Sequence, residues 1–189
     1  MISIKPLFNL QILVFSVLFV ISYAEINAAN IFTHYIKSDL EAAEMTVRPA
    51  EFFGKAINGI EVICRLKAAG SFLRRYGDYC AEGQDLDFLI EASLKDDARG
   101  DPMINQETLE MLNIINIPEY KKIKALTKQI TAIIRDDLFN KGLTLYDIKI
   151  EFGKIDGKIA LIDEISSGCM RVYKNNTWLQ GLELNKYFI

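Results

Sequence analysis

LYDIKIEFGKIDGKIALIDEI, Leu145–Ile165, is the stretch whose reading decides the fold. In its first half Tyr146, Ile148, Ile150 and Phe152 alternate with Asp147, Lys149 and Glu151. Successive side chains on a strand face opposite sides, so this predicts a half-buried strand with acid, base and acid spaced about 7 Å apart on its open face. Such a row is either a salt-laced surface or a site for a charged ligand. Asp156-Gly157 supplies turn chemistry. A two-residue loop pairs Glu151 with Ile162 and turns Asp163 toward the apolar side. A three-residue loop, Asp156 to Lys158, pairs Glu151 with Asp163 instead. The second register is the expectation, because a lone carboxylate facing the core is costly to desolvate. It sets the two carboxylates opposite one another with Cβ atoms about 5 Å apart. Like charges so placed repel unless a cation lies between them, and oxygen-only ligation by two acids suits Mg²⁺. Arg171 then adds a planar positive fork suited to phosphate or carboxylate.

The bulk numbers narrow the classes. The chain has 189 residues, enough for one ordinary domain, and half of them are hydrophobic, enough for a sizeable core. The net charge of −3 comes from acids and bases mixed along the chain with no basic stripe, which argues against nucleic acid as a partner. Three separated cysteines, Cys64, Cys80 and Cys169, make neither a disulfide framework nor a zinc site. One histidine, His34, gives little support to histidine-based catalysis and reads as structural.

Residues 1–30 differ from the rest. No charge falls between Lys5 and Glu25, and the apolar run 6–24 reads as a signal peptide or an anchor, with a buried helix or an aberrant chain start as the other readings. Residues 31–189 have the composition of a soluble domain. Residues 34–40, 45–49, 61–67 and 86–94 read as strands. AAGSFLRRYG turns from strand end to short helix at Gly70-Ser71, where free backbone N–H groups, the Ser71 hydroxyl and Arg65 suit an anion; the alternative is that Ser71 only caps the helix. The charged run 95–102 reads as a solvated loop, and a short helix follows over 106–112. Asn116 caps the longest helix with Glu119 as its capping-box partner. Ile123, Leu126, Ile130, Ile134 and Leu138 give that helix one buried stripe, and Gly142 ends it. The tail 173–189 is expected to cover an edge of the domain.

RLKAAGSFLRRYG (65–77), LKDDARGDPMIN (94–105) and LYDIKIEFGKIDGKIALIDEISSGCMRVY (145–173) together resemble the SAICAR synthetase family, phosphoribosylaminoimidazole-succinocarboxamide synthases of purine biosynthesis. The resemblance runs from about Thr33 to the C-terminus. It implies an α+β fold, the larger lobe of that family, with a mostly antiparallel sheet and packed helices. It implies an ATP-dependent ligase that joins L-aspartate to carboxyaminoimidazole ribonucleotide. Carried over residue by residue, Glu151 and Asp163 hold Mg²⁺ and the ATP phosphates, and Lys149 offsets charge at the transferred phosphoryl. Arg65, Ser71 and Arg171 hold the ribonucleotide phosphate, Asp147, Asp101 and Lys95 line the substrate side, and Lys149 and Asp147 are the expected catalytic groups. Partners are then small molecules, with a homo-oligomer allowed, and the location is the cytoplasm. Family members begin with a small nucleotide lobe, a glycine-rich strand pair with a lysine. Here the apolar stretch before Asn30 stands in its place, so the expectation is a truncated copy with half a site and low or absent turnover. The alternative is a non-catalytic module, anchored or exported through residues 6–24, that binds a phosphorylated metabolite.

Overall fold

The structure, a computed structural model, describes residues 2–4, 23–39, 44–54 and 59–188. The targeting or anchoring stretch expected at 6–24 lies outside the described residues except for Tyr23 and Ala24. Among the described residues no helix is long and apolar enough to cross a membrane.

The largest sheet is built on one long central strand, β7 (Thr144–Ile155). On one side β7 pairs with β5 (Ile60–Lys67) and then the short β4 (Glu51–Phe52); on the other it pairs with β9 (Met170–Lys174) and β8 (Lys158–Ile162). β6 (Asp85–Leu94) and β10 (Thr177–Leu179) extend the two edges, and every pairing between these strands is antiparallel. A second sheet joins β1 (Ile2–Ile4), β3 (Glu44–Val47) and β2 (Tyr35–Asp39). Helices are α1 (23–28), α2 (Ser71–Tyr76), α3 (Gln106–Met111), α4 (Ile117–Asn140) and α5 (Gly181–Asn185). The α+β expectation holds.

The period of 3.6 explains α4. Ile123, Ile130, Ile134 and Leu138 are buried, Leu126 packs beside them, and they meet Val62, Cys64, Ile148, Ile150 and Phe152 from the sheet. Each fully buried aliphatic side chain contributes about 1.5–3 kcal/mol relative to exposure. The Asn116 side chain accepts from the Glu119 amide, as expected, whereas the Glu119 carboxylate is spent on Lys154. At the other end the amides of Gly142 (φ +72°) and Leu143 bond to the carbonyls of Phe139 and Leu138, closing the helix through a left-handed glycine. Tyr23 and Ile26 of α1, together with Ile31, sit in this same core. The core is thus continuous across the boundary expected at residue 30.

The central hairpin departs from expectation at three points. Tyr146 does not join Ile148, Ile150 and Phe152; the ladder to β9 is irregular between Leu145 and Asp147, and Tyr146 instead stacks on Tyr173 at 3.7 Å. The charged face is not solvated along its length, since Asp147 and Glu151 are buried behind their ion-pair partners. The turn is the two-residue one, with Asp156 and Gly157 both at positive φ, so Ile155 faces Lys158 and Glu151 faces Ile162. This is the register whose predicted consequence was an Asp163 turned into the core.

Candidate functional site

That consequence does not follow, because β8 stops at Ile162 and Asp163 takes the left-handed conformation, φ +64°. One residue of opposite hand breaks the alternation of strand side chains and leaves the carboxylate half-exposed, next to Glu151. A non-glycine residue there costs about 1–2 kcal/mol, least for Asp and Asn. The backbone is held by its own carbonyl, which accepts from the Tyr23 hydroxyl at 2.5 Å and lies 3.2 Å from His34 Nε2. Burial lowers the His34 pKa, so the ring is neutral, and a carbonyl partner requires the proton on Nε2. His34 is structural, as the sequence suggested, and its structural task is at the site.

The sheet presents its polar face in three cross-strand rows. Ser93, Glu61 and Glu151 form the first; Glu91, Ile63 and Lys149 the second; Arg65, Asp147 and Arg171 the third. A cleft of about 720 Å³ opens over this face. Arg65, Ser71, Asp101, Asp147, Lys149 and Arg171 line it, while Glu151, Asp163 and Lys95 form an adjoining cluster beside Glu61.

The third row is the basic end. Arg65 is 1 % exposed and all three of its nitrogens are engaged: Nε on Glu91 at 2.6 Å, Nη1 on Asp147 at 2.9 Å and Nη2 on the Ser71 hydroxyl at 3.0 Å. Arg171 Nη1 reaches both Asp147 oxygens, at 3.0 and 2.7 Å. Burial raises the Asp147 pKa, and Arg171 and Arg65 pull against that. Ser71 therefore does not cap α2. The N-cap is Gly70, with no side-chain bond, and at φ +54° a Cβ there would lie 2.4 Å from Arg171 Cζ. The bare glycine lets the guanidinium lie against the chain. Arg75 shares Glu91 with Arg65, and Arg74 also lines the cleft.

The first row is the acidic end. Glu61 and Glu151 are directly opposed across β5 and β7, and each holds a lysine. Lys149 Nζ is 2.5 Å from Glu61 Oε1, with Ser93 Oγ on the other oxygen at 3.1 Å. Lys95 Nζ is 2.6 Å from Glu151 Oε1 and 3.7 Å from Asp163 Oδ2. Burial first, and then the adjacent Asp163 carboxylate, push the Glu151 carboxyl up to about 7, against the pull of Lys95. Burial alone lowers the Lys95 ammonium, but the bond to Glu151 more than offsets it and the net shift is upward. The run 95–102 is thus more than a solvated loop: its turn Asp97–Arg99 is closed by Asp96, and Asp101 Oδ1 accepts from the Asp96 amide at 2.8 Å on the cleft wall.

Among the described residues no group of three or more His, Cys, Asp or Glu is arranged to hold a metal by itself. Two carboxylates with an ammonium already between them do fit a small hard cation that brings its other oxygen ligands with it. Burial raises Cys169, on the cleft wall, to about 12, so its sulfur stays a neutral thiol. Ser167 Oγ is buried with no hydrogen-bond partner among the described residues and lines the cleft, a hydroxyl for a ligand to satisfy.

The sequence reading missed Glu61, Glu91, Arg75 and Ser167. The first was readable: Glu61 and Arg65 share parity on one strand, so whatever face carries the arginine carries the glutamate. Glu91 and Ser93 follow in the same way on β6.

A family model described as SAICAR synthetase matches residues 14–187, beginning ahead of the Thr33 at which the resemblance was placed. The phosphoribosylaminoimidazole-succinocarboxamide synthase of Clostridium tetani is 54 % identical over 159 residues, 83 % of this chain and 69 % of that protein. The protein of the same name from Thermotoga maritima is 44 % identical over 117 residues, 61 % of this chain and 50 % of that one. The chain therefore spans between half and 69 % of the length of these two relatives. Among solved structures, a type-2 SAICAR synthetase in complex with ADP superposes with a TM-score of 0.82 at 28 % identity, over 94 % of this chain and 77 % of that one.

Proposed function

Because the chain belongs to the SAICAR synthetase family, we propose that it performs the ATP-dependent ligation of L-aspartate to carboxyaminoimidazole ribonucleotide. The observation that supports this most is the division of one sheet face into a basic end and an acidic end about two strand-pair steps apart, bridged by Lys149. A substrate with a phosphate at one end and a reacting carboxylate at the other fits that spacing.

The chemistry has two steps. The substrate carboxylate oxygen attacks the terminal phosphorus of ATP, a new P–O bond forms, and ADP leaves. The aspartate amine then attacks the acyl carbon, loses a proton, and inorganic phosphate departs as the amide forms. Little of this is covalent chemistry for the protein, so its work is positioning and charge stabilisation. Arg65, Arg171 and Ser71 grip the ribonucleotide phosphate. Asp147, expected among the catalytic groups, has both oxygens held by arginines, which supports a role in orienting those groups. Lys149 offsets charge on the transferred phosphoryl, and its ammonium is available for this because Glu61 holds it in place. Glu151 and Asp163 would hold Mg²⁺, which supplies charge neutralisation on the nucleotide phosphates. The ADP held by the 28 % identical relative supports nucleotide use at this fold. Lys95 and Asp101 stand at the edge of the reacting region. Substrates of this kind are cytoplasmic metabolites, which supports a cytoplasmic location.

The test is ADP release measured with each substrate omitted in turn. Steady-state release requires both aspartate and ribonucleotide and falls about 100-fold or more in Lys149→Met, as for loss of a charge-stabilising donor. Multiple-turnover release that persists without aspartate contradicts the reading.

A further inference from the structure

Lys149 and Lys95 look alike in the polar face and are held differently. Lys149 rests on Glu61, a residue with its own second partner in Ser93. Lys95 bridges Glu151 and Asp163, the two groups that would hold the metal. Its base is fixed: it follows the last residue of β6, its amide donates to the Gly59 carbonyl at 3.2 Å, and the Leu94 amide donates to Pro102. Its tip is on four flexible carbons and half-exposed. An ammonium 2.6 Å from Glu151 and a divalent ion on the same oxygens repel strongly, so both cannot occupy that place.

Resting on the assignment of Glu151 and Asp163 as metal ligands, we propose that Lys95 is an exchangeable internal counter-ion that makes divalent metal and polyphosphate bind as one unit. A metal arriving alone must expel the ammonium into water and forfeits the pair that Glu151 had. A metal arriving with a polyphosphate brings new anionic oxygens for the displaced ammonium, within the sweep of the same side chain. The coupling is reciprocal, since whatever factor the polyphosphate adds to metal affinity the metal adds to polyphosphate affinity. Lys95 is on this account a positioning residue with two stations, and the structure shows the first.

Mn²⁺ serves as the probe, titrated by electron paramagnetic resonance with and without ADP. In the wild type ADP tightens Mn²⁺ binding; Lys95→Met binds Mn²⁺ alone about tenfold more tightly, a typical linked-site factor, and gains little more from ADP. Unchanged or weaker binding of Mn²⁺ alone by folded Lys95→Met overturns the proposal. The unmutated protein gives a second measurement. Reductive methylation, read by peptide mass spectrometry at Mn²⁺ saturation without ADP, accelerates at Lys95 and not at Lys149; equal rates at Lys95 with and without metal also overturn it. Glu151→Gln separates the two readings. If it binds Mn²⁺ with ADP as the wild type does, the metal assignment itself fails. If it loses that binding while Lys95→Met matches the wild type, only the coupling fails.

Discussion

The two ends of the polar face use the same residue types and solve opposite problems. At the basic end Arg65, Arg171 and Arg75 share two carboxylates, Asp147 and Glu91, all carried on strands of the sheet or on α2. The cations are in excess, pre-oriented, and wait for one anion. At the acidic end three carboxylates, Glu61, Glu151 and Asp163, share two lysines, and one of the three stands on a left-handed residue outside the ladder. The first end is built into the fold. The second is held against its own repulsion, which Lys95 and Lys149 offset in part. Charge paired within the sheet is costly to break, and charge left over in the sheet is there for something else.

The sharpest way to break this contrast is to remove a carboxylate from each end. Asp147→Ala leaves two guanidinium groups without their shared partner, one of them buried, and should cost about 3–5 kcal/mol in denaturant unfolding. Asp163→Asn relieves repulsion and should leave the metal-free protein as stable as the wild type or slightly more so. Equal destabilisation by both substitutions would erase the distinction.

Acidity tests the second end alone. Glu151 holds its proton up to about 7 in the folded chain, whereas a glutamate in the unfolded chain loses it near the ordinary 4.5. Between these values the folded state binds more protons, so stability falls as pH rises through this window and levels off above it. The expected loss is of order a few kcal/mol, and Glu151→Gln should flatten it in a series of thermal melts. Gly70→Ala probes the basic end more gently. It demands φ +54° of an alanine and displaces the Arg171 guanidinium, costing about 1–2 kcal/mol and weakening ribose 5-phosphate binding. The smallest effect is expected for Tyr23→Phe, which removes one bond to the Asp163 carbonyl and costs about 1 kcal/mol of stability. It should loosen Mg·ADP binding and leave ribose 5-phosphate binding untouched.

How much of this was legible follows from the range of the forces involved. The stripe of α4 and the Gly142 stop are local patterns that appear where the residues alone put them, whereas the alternation of β7 holds only from Ile148 on, with Tyr146 off that face and Asp147 and Glu151 buried. The Asp156-Gly157 turn was ambiguous because the pair suits a loop of two residues or three, and one residue of slip inverts every side chain after it. A buried lone carboxylate is avoided here, as desolvation demands, but by a left-handed Asp163 and not by the longer turn. The clamp on that residue comes from Tyr23 and His34, 140 and 129 positions away, and Tyr23 sat inside a stretch that composition marked as apolar. Glu61 and Glu91, which hold Lys149 and Arg65, were within reach of strand parity alone.

The division of labour between the ends is tested most directly by calorimetric titration of Asp163→Asn with two ligands, Mg·ADP and ribose 5-phosphate. The account predicts that Mg·ADP binding is lost, by about tenfold or more for a group that meets a divalent ion, while ribose 5-phosphate binds as to the wild type. Undiminished Mg·ADP binding in the folded variant would contradict it.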